Sequence, residues 1–376
     1  MNRSNSLARK KAELQSRGVQ IPPELLGELE TKYNAPAIRT ARMVFCLDSL
    51  KRNGELIPVF IVNGKRGSKS PLHLVRNGSD KYEIWIDDEK YSDISLLPRP
   101  GFYEKITGSG IPMSKLAVMV GPGHIRSVIN QNCFYHHLGK PCKFCAVQHW
   151  WDANIEKTPS DIADTIEAAV KEGLVKHVSL TTATLNTEDK GLVTLVETAR
   201  LIRARVKVPV MLEFEPISDY SLLDALLKEA RLAGVTTVSC NIECFDEGLR
   251  PEVMPMKGRI PVAAYIKTWE RCLEIFGKNE VFTVCVVGIG ENDVSILSGV
   301  EMAASRGVMT FLVPHSPAIG AAYEDMEAPG ANGMLSLYER AVTIYKKHGL
   351  DLCASRAGCV RGGGFSAMKE VARFGV

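Results

Sequence analysis

Three cysteines in one short segment are the residues of this chain whose types and spacing most clearly indicate chemistry. Cys133, Cys142 and Cys145 form the pattern C-x8-C-x2-C in the stretch CFYHHLGKPCKFC. Thiolates are soft ligands that suit zinc or an iron–sulfur cluster. A cluster held by only three protein thiolates leaves one iron open to another molecule, which is a catalytic feature. The segment therefore predicts a metal centre with these three cysteines as its ligands and catalytic residues.

The chain around the cysteines predicts parallel strands that alternate with helices. Apolar or β-branched runs of strand length recur from about residue 125 onward, separated by longer stretches of helical period. The predicted strands are residues 124–132, 177–182, 208–215, 236–243, 281–288 and 309–314. Six such units indicate an α/β fold, a partial (βα)6 TIM-like barrel whose chemistry lies at the carboxyl ends of the strands. Cys133 directly follows the first predicted strand and so lies at that end.

Several helix ends are also predicted. Thr158 and Pro159 with Asp161 favour a helix start, because a capping hydroxyl, an early proline and an acid near the positive helix terminus all suit that position. The glycines expected just beyond the last turns of this helix and of later ones are Gly173, Gly234, Gly277, Gly307 and Gly349.

Three regions divide the chain. Residues 1–112 combine an amphipathic charged start with short alternating strands such as IPVFIVNG, and predict an N-terminal α+β extension or cap. Residues 113–330 hold the barrel core, and residues 331–376 hold a C-terminal helix and a glycine-rich tail. The glycine run at residues 362–364 is interpreted as flexible.

The composition gives no strong charge or membrane signal. The chain has 376 residues, 45% of them hydrophobic, which suits one large domain with an appendage. A net charge of +3 indicates neither a nucleic acid nor a membrane as partner, so a compact substrate is expected. No apolar run reaches the ~18 residues that span a bilayer. Ten cysteines without an export signal favour a reducing, cytoplasmic location in which clustered thiols bind metal.

The cysteine loop resembles that of the radical S-adenosylmethionine (radical SAM) superfamily, in its biotin synthase-like branch. In that superfamily a loop after the first strand ligates a [4Fe-4S] cluster, and an aromatic residue precedes the last cysteine. Phe144 holds that position here. The gap of eight residues between the first two cysteines is wider than the usual three. The resemblance implies a cluster on Cys133, Cys142 and Cys145 that cleaves S-adenosylmethionine.

Matches on later strands extend the resemblance. Thr181 and Thr182, at the end of the second strand, resemble the motif that meets the amino-acid part of the cofactor. Asn241 and Glu243, on the fourth strand, resemble the Asn-x-acid pair that faces the cofactor ribose. The resemblance therefore implies that these four residues bind S-adenosylmethionine.

The adenine side of the cofactor has its own matches. Gly288 and Gly290 resemble the glycine-bearing stretch where backbone approaches the flat adenine ring closely. His315, in the segment PHSP after the sixth strand, fits the adenine-side loop of the family. These three residues are the further cofactor-binding candidates.

The sequence leaves open the roles of two glutamates on the third strand and the identity of the cation that pairs with the cofactor carboxylate. Glu213 and Glu215 share one face of the third strand, and either contacts a ligand or forms a buried ion pair. Glu215 is the cofactor-binding candidate of the two. The arginine that pairs the cofactor carboxylate in the biotin synthase branch is replaced here by alanine. Arg259 is the candidate substitute, and Arg250 and Lys267 are the alternatives.

Within this branch, the chain resembles an uncharacterised biotin-synthase-like radical family that is often encoded beside nitrilases. It covers about residues 100–366 and shares the segments GFYEKITGSGIP and CKFCAV. Members end in G-C-x-R-C-x-x-C-S, whose cysteines are able to hold an auxiliary cluster, whereas this chain reads GCVRGGGFS. A second cluster here would involve Cys353 and Cys359, together with Cys46 and either Ser355 or Ser366.

The resemblance also implies a reaction and partners. Electron transfer from the reduced cluster would give a 5′-deoxyadenosyl radical that abstracts hydrogen from a small-molecule or protein-bound acyl substrate in the barrel. Sulfur insertion, as in biotin and lipoyl synthases, and radical rearrangement are both open, and a flavodoxin or ferredoxin would be the reductant. The alternatives are a zinc-dependent barrel hydrolase and a non-catalytic metal-binding module that use the same cysteines. In either, His136, His137 or His149 would complete the zinc site.

Overall fold

A computed structural model describes residues 6–34, 42–48, 56–62, 64–78, 81–149 and 155–376. Its helices are α1 (Leu7–Arg17), α2 (Pro23–Lys32), α3 (Phe134–His137), α4 (Pro159–Lys171), α5 (Leu192–Arg205), α6 (Tyr220–Leu232), α7 (Arg250–Val253), α8 (Val262–Phe276), α9 (Asp293–Ala304), α10 (Ala331–Lys347), α11 (Gly358–Gly362) and α12 (Met368–Phe374). Its strands are β1 (Arg42–Asp48), β2 (Leu56–Val62), β3 (Leu72–Arg76), β4 (Tyr82–Ile86), β5 (Glu89–Leu96), β6 (Val118–Gly121), β7 (Gly123–Val128), β8 (Val175–Thr181), β9 (Val210–Phe214), β10 (Val235–Cys240), β11 (Val281–Val287) and β12 (Met309–Pro314).

The main sheet confirms the predicted α/β half-barrel. Its order is β12-β11-β10-β9-β8-β7-β6, and the six strands from β7 to β12 pair in parallel. They correspond to the six predicted strands, although β7 ends at Val128 and β10 at Cys240, a few residues earlier than predicted. Strand β6 was not predicted, and it pairs antiparallel with β7 at one edge. The sheet curls without closing, so the fold is a partial barrel.

The predicted helix ends are confirmed. The Thr158 side chain accepts a hydrogen bond from the Asp161 N–H at 3.1 Å and caps α4. Each glycine predicted to follow a helix has a positive φ, which glycine adopts without steric cost: Gly173, Gly234, Gly277, Gly307 and Gly349. Capping and turn chemistry are local properties, so these features follow directly from the sequence.

The N-terminal region forms a second sheet with its own apolar core. Its order is β2-β1-β5-β4-β3, and its pairs are antiparallel. Helix α1 joins the two cores, because Ala8 and Ala12 pack into the barrel core while Leu14 packs into the N-terminal core. The extension therefore lies directly against the barrel.

The interpretation of the glycine run as flexible is wrong. Gly363 and Gly364 are buried, and the Gly364 carbonyl accepts hydrogen bonds from the Phe60 N–H at 2.8 Å and from Gln15 Nε2 at 2.9 Å. At Gly362 a Cβ would lie 2.4 Å from Nδ1 of His124, inside the barrel. The glycines serve close packing of the tail against the sheet.

Among the described helices, none is both long and apolar enough to cross a membrane.

Gly299, in the interior of α9, gives a test of this packing. A Cβ at Gly299 would lie 2.2 Å from Cγ of the buried Phe245 ring. We expect Gly299→Ala to lower the free energy of unfolding by about 1–3 kcal/mol through overpacking, measured as a urea midpoint. Gly27→Ala in α2 is the control, since a Cβ there meets nothing within 4 Å. It should raise stability by about 0.5–1 kcal/mol, and equal effects of the two changes would contradict the packing.

Candidate active site

The cysteine loop is fixed by main-chain hydrogen bonds to the segments that follow three other strands. After β8, the Thr184 carbonyl accepts from the Phe134 N–H at 2.8 Å. After β10, the Val253 carbonyl accepts from the Lys143 N–H at 2.9 Å. After β12, the Tyr323 N–H donates to the Lys143 carbonyl at 2.8 Å. The loop therefore lies across the carboxyl ends of the barrel strands, as the sequence predicts.

The three cysteines of this loop are neighbours, and none is in a disulfide. Cys133 and Cys142 are half-buried and Cys145 is exposed. Burial raises the pKa of the Cys142 thiol well above its usual value, and the charges of Cys145, Glu243 and Cys133 act in the same direction. The described residues contain no group of three cysteine, histidine or carboxylate side chains placed to hold a single metal ion. A four-iron cluster does not need such convergence, because each cysteine binds a different iron.

Glu243 stands beyond the end of β10 in an unusual backbone conformation. Its φ is 65°, a value that non-glycine residues rarely adopt. Its N–H donates to the Val284 carbonyl at 2.9 Å, and its carbonyl accepts from the Val286 N–H at 2.8 Å. Asn241, two residues earlier, accepts through its side-chain oxygen from Ser239 Oγ and, at 3.2 Å, from the Val284 N–H. Both residues are therefore held against β11.

Lys257 is the residue of the site that the sequence reasoning missed. Its Nζ lies 3.0 Å from Oε1 of Glu243, and both side chains are largely buried. Burial opposes the charge of Lys257, yet Glu243, Tyr265, Cys142 and Glu215 together raise the lysine pKa well above its usual value. Lys257 therefore lies among the acids and the cysteine of the barrel mouth as a cation.

The cations proposed from sequence lie elsewhere. The guanidinium of Arg250 is fully buried and donates to three carbonyls, those of Ile242 at 2.8 Å, Cys244 at 2.7 Å and Ile260 at 3.0 Å. Arg259 is exposed, and Lys267 is exposed over the Tyr220 ring. Arg250 thus holds the backbone carbonyls on both sides of Glu243 by hydrogen bonds. The role of Arg259 as a cofactor ligand stays a prediction.

Glu215 and the threonines connect the second and third strands with the cysteine loop. The Tyr135 hydroxyl donates to Glu215 Oε1 at 2.5 Å, and Thr184 Oγ1 donates to Oε2 at 3.0 Å. Burial raises the pKa of the Tyr135 phenol, and the charge of Glu215 adds to this effect. Thr181 Oγ1 donates to Glu213 at 3.2 Å, while Thr182 Oγ1 donates only to the adjacent Ala183 carbonyl at 3.0 Å. Glu215 is therefore bonded to hydroxyl groups and forms no ion pair with the described residues.

Phe144 and the adenine-side candidate His315 line a small cavity, whereas Gly288 and Gly290 are not among its lining residues. Its volume is about 180 Å³, and it is lined by Gln15, Phe60, Phe144, Val286, Val313, Pro314, His315, Ser316 and Phe365. Gly288 and Gly290 follow β11 with φ values of 96° and 114°. At Gly288 a Cβ would also lie 2.9 Å from Cδ of Pro329. Phe144 and His315, which are far apart in sequence, are thus brought to one cavity.

Comparison with known proteins matches this region to one family. A search of curated proteins found no match. The family model described as the radical SAM superfamily matches residues 129–303, which contain the cysteine loop and strands β8 to β11. Residues 129–303, a little under half of the chain, are therefore similar to the radical SAM superfamily. Enzymes of this superfamily use a [4Fe-4S] cluster and S-adenosylmethionine. Three free thiols on one loop are a donor set that fits such a cluster.

Two solved radical SAM structures are similar over part of the chain. Methylornithine synthase (PylB) is 14% identical with a TM-score of 0.46, and the match covers 60% of this chain and 62% of that protein. HydG, a maturase of the [FeFe]-hydrogenase, is 12% identical with a TM-score of 0.44, and the match covers 59% and 49%. This chain therefore spans about three fifths of the first protein and about half of the second.

The cysteines proposed for a second cluster lie in different surroundings. Cys359 is buried near the charges of Arg126 and Glu213, inside the barrel. Cys353 is half-buried near Lys369, and Cys46 is buried in β1. Burial raises the pKa of the Cys359 thiol to about 12. A second cluster on these cysteines stays a prediction, as does the resemblance to the family encoded beside nitrilases.

The role of Arg250 gives a direct test of how the mouth is built. Arg250→Lys keeps the charge but loses the planar fork that reaches three carbonyls. Loss of two such bonds should lower the free energy of unfolding by about 2–4 kcal/mol, measured by urea denaturation. Arg259→Lys, on the exposed side of the same segment, is the matched control and should leave the midpoint unchanged. A midpoint for Arg250→Lys equal to that of the wild type would contradict the anchoring role.

Proposed function

We propose that this chain is a radical SAM enzyme in which Cys133, Cys142 and Cys145 hold a [4Fe-4S] cluster at the barrel mouth. The observation that carries the proposal is the attachment of the cysteine loop to the segments that follow β8, β10 and β12. This attachment brings the thiols beside Glu243, Lys257 and the cavity lined by Phe144. When bound, the reduced cluster and S-adenosylmethionine supply a carbon-centred radical that abstracts hydrogen from a substrate.

The charged pair at the mouth supports a site for the polar half of S-adenosylmethionine. The Glu243 carboxylate is suited to accept hydrogen bonds from ribose hydroxyls, with the Asn241 amide beside it. Lys257 provides the positive charge for the cofactor carboxylate, in place of the arginine that the branch uses. Thr181 and Thr182 lie on the neighbouring strand end, where the amino-acid part would extend. These residues orient the cofactor and do no acid–base chemistry.

The small cavity supports a site for the adenine. Phe144, Val286 and His315 offer an aromatic and apolar lining to a flat ring. The ring of His315 is tied to the cysteine loop through the Tyr323 carbonyl, 3.3 Å from Nε2, and through the N–H of Tyr323. Burial lowers the pKa of His315, so the ring is neutral at pH 7.

The substrate is proposed to lie deeper in the barrel, where charged side chains face one another. Arg126 NH2 is 3.6 Å from Glu213 Oε1, and both side chains keep about a fifth of their surface exposed, at 21% and 19%. Phe365 packs beside Arg126 and Phe60, and so limits the entry of water. The role of the protein here is to position a C–H bond and to exclude solvent.

Rearrangement is favoured over sulfur insertion as the chemistry that follows hydrogen abstraction. Sulfur insertion needs a sulfur donor in the barrel, usually a second cluster. The tail supplies one thiol there, Cys359, and its neighbouring positions are the packed glycines Gly362, Gly363 and Gly364. Electrons are proposed to come from a flavodoxin or ferredoxin that reaches the exposed side of the cysteine loop at Cys145.

Iron content tests the assignment of the cysteines. Anaerobically reconstituted wild-type protein should contain about four irons and four sulfides per chain. Ala variants of Cys133, Cys142 and Cys145 should each lose the cluster absorbance and the reductive formation of 5′-deoxyadenosine. Cys353→Ala is the matched control and should keep both. A preparation that holds only zinc would overturn the proposal, and about eight irons per chain would overturn the single-cluster form of it.

Affinity for S-adenosylmethionine tests the charged pair. Glu243→Gln and Lys257→Gln should each raise the cofactor Kd roughly tenfold to a hundredfold, since a charged hydrogen bond contributes about 1.5–3 kcal/mol. Lys257→Arg should restore part of the loss. Glu252→Gln, an exposed acid on α7, is the control and should leave Kd unchanged. Unchanged binding in the Glu243 and Lys257 variants, with iron content intact, would contradict this placement of the cofactor.

A further inference from the structure

A second cavity lies at the opposite end of the barrel from the cysteine loop. Its volume is about 560 Å³. This basal cavity is lined by Leu56, Ile57, Pro58, Pro122, Lys176, His177, Cys353, Arg361, Gly362, Lys369, Glu370 and Arg373. Pro122 precedes β7, and Lys176 is the second residue of β8, whereas Cys133 follows β7 at its other end. Six residues of strand span roughly 20 Å, so the two sites are well separated.

The side chains around the basal cavity carry a positive charge. Among the lining residues, four are cations, namely Lys176, Arg361, Lys369 and Arg373, and one is a carboxylate, Glu370. Glu370 already pairs with the fully buried Lys11, whose Nζ lies 2.9 Å from its Oε2. Burial lowers the pKa of Lys369, and the charges of Arg361 and Arg373 lower it further. The cavity therefore attracts anions.

His177 supplies a buried polar atom without a partner. The residue is 3% exposed, and its Nδ1 has no hydrogen-bond partner among the described residues. Its ring packs on the ring of His124 at a centroid distance of 4.3 Å. Burial, with a smaller effect of Arg361, lowers the His177 pKa to about 3, so the ring is neutral at pH 7. A buried nitrogen left unpaired costs about 1–3 kcal/mol.

One part of the wall of the basal cavity is apolar. Leu56, Ile57 and Pro58 of β2 form it together with Pro122. A ligand that fills the cavity therefore has an anionic end against the cations and a less polar part against this wall. The volume lies in the range of small-molecule sites, which is about 300–1,000 Å³.

We propose that the basal cavity is a binding site for a phosphate-bearing small molecule. Arg361 and Lys176 would contact the phosphate oxygens from the exposed rim, and Lys369 from deeper in the cavity, with His177 at the buried end. Several cations around one group suit phosphate better than a single carboxylate, because phosphate offers more acceptor oxygens and more charge. The site is independent of the chemistry at the barrel mouth.

Calorimetric titration of inorganic pyrophosphate tests this site. The reconstituted full chain is used with saturating S-adenosylmethionine and about 0.15 M salt, so that weak surface attraction is screened. Wild-type protein should bind pyrophosphate with one site per chain. The double variant Arg361→Gln with Lys176→Gln should bind at least about tenfold more weakly, since a charged hydrogen bond contributes about 1.5–3 kcal/mol. Arg361→Gln alone should give a smaller loss.

A matched double variant distinguishes binding of pyrophosphate in the cavity from its general attraction to the positive charges of the protein. Lys207→Gln with Lys228→Gln removes the same charge from exposed positions outside the cavity and should bind as the wild type does. Affinity for S-adenosylmethionine should be the same in all variants, which shows that they are folded. Equal weakening by both double variants, or no binding to wild type at millimolar pyrophosphate, would overturn the proposal. Binding of citrate with no binding of pyrophosphate would overturn the assignment to phosphate.

Discussion

A barrel that does not close must cover its open side, and this constraint governs how the rest of the chain is arranged. Strands β6 and β12 are the two edges of the main sheet. The gap is covered by the N-terminal extension and the C-terminal tail, which bond to each other: the Gly364 carbonyl accepts from Phe60 N–H, and the Gly363 carbonyl from Lys11 Nζ at 2.8 Å. Buried backbone groups need such partners, so the first and last segments depend on one another.

The N-terminal extension and the C-terminal tail, which cover the open side, also contribute lining residues to both candidate sites. Phe60 and Phe365, whose rings are 4.6 Å apart, reach the cavity that Phe144 and His315 line at the mouth. A few residues away, Arg361 and Gly362 line the basal cavity with Pro58. The buried pair of Lys11 with Glu370 joins α1 to α12 between these points. Such pairs contribute little net stability after desolvation, so the hypothesis for this one is that it fixes the register of the tail.

The sequence predicted what local chemistry determines and missed what depends on packing. The strands, the Thr158 cap and the positions of Phe144 and His315 follow from periodicity and motif. Lys257 could not be found in this way, because it lies in a single turn between α7 and α8 where no period shows which side chains face the barrel. The glycine run at residues 362–364 was misread because composition alone does not separate a flexible tail from one packed closely against His124.

The backbone at Glu243 is strained, and this conformation determines where the Glu243 side chain lies. A φ of 65° costs a non-glycine residue about 1–2 kcal/mol. Two main-chain hydrogen bonds to β11 offset this cost, and Arg250 holds the carbonyls of Ile242 and Cys244 on either side. A regular continuation of β10 would direct successive side chains to opposite faces of the sheet. The left-handed turn instead brings the Glu243 carboxylate to Lys257 beside Cys142, which is the arrangement proposed above to bind the charged cofactor.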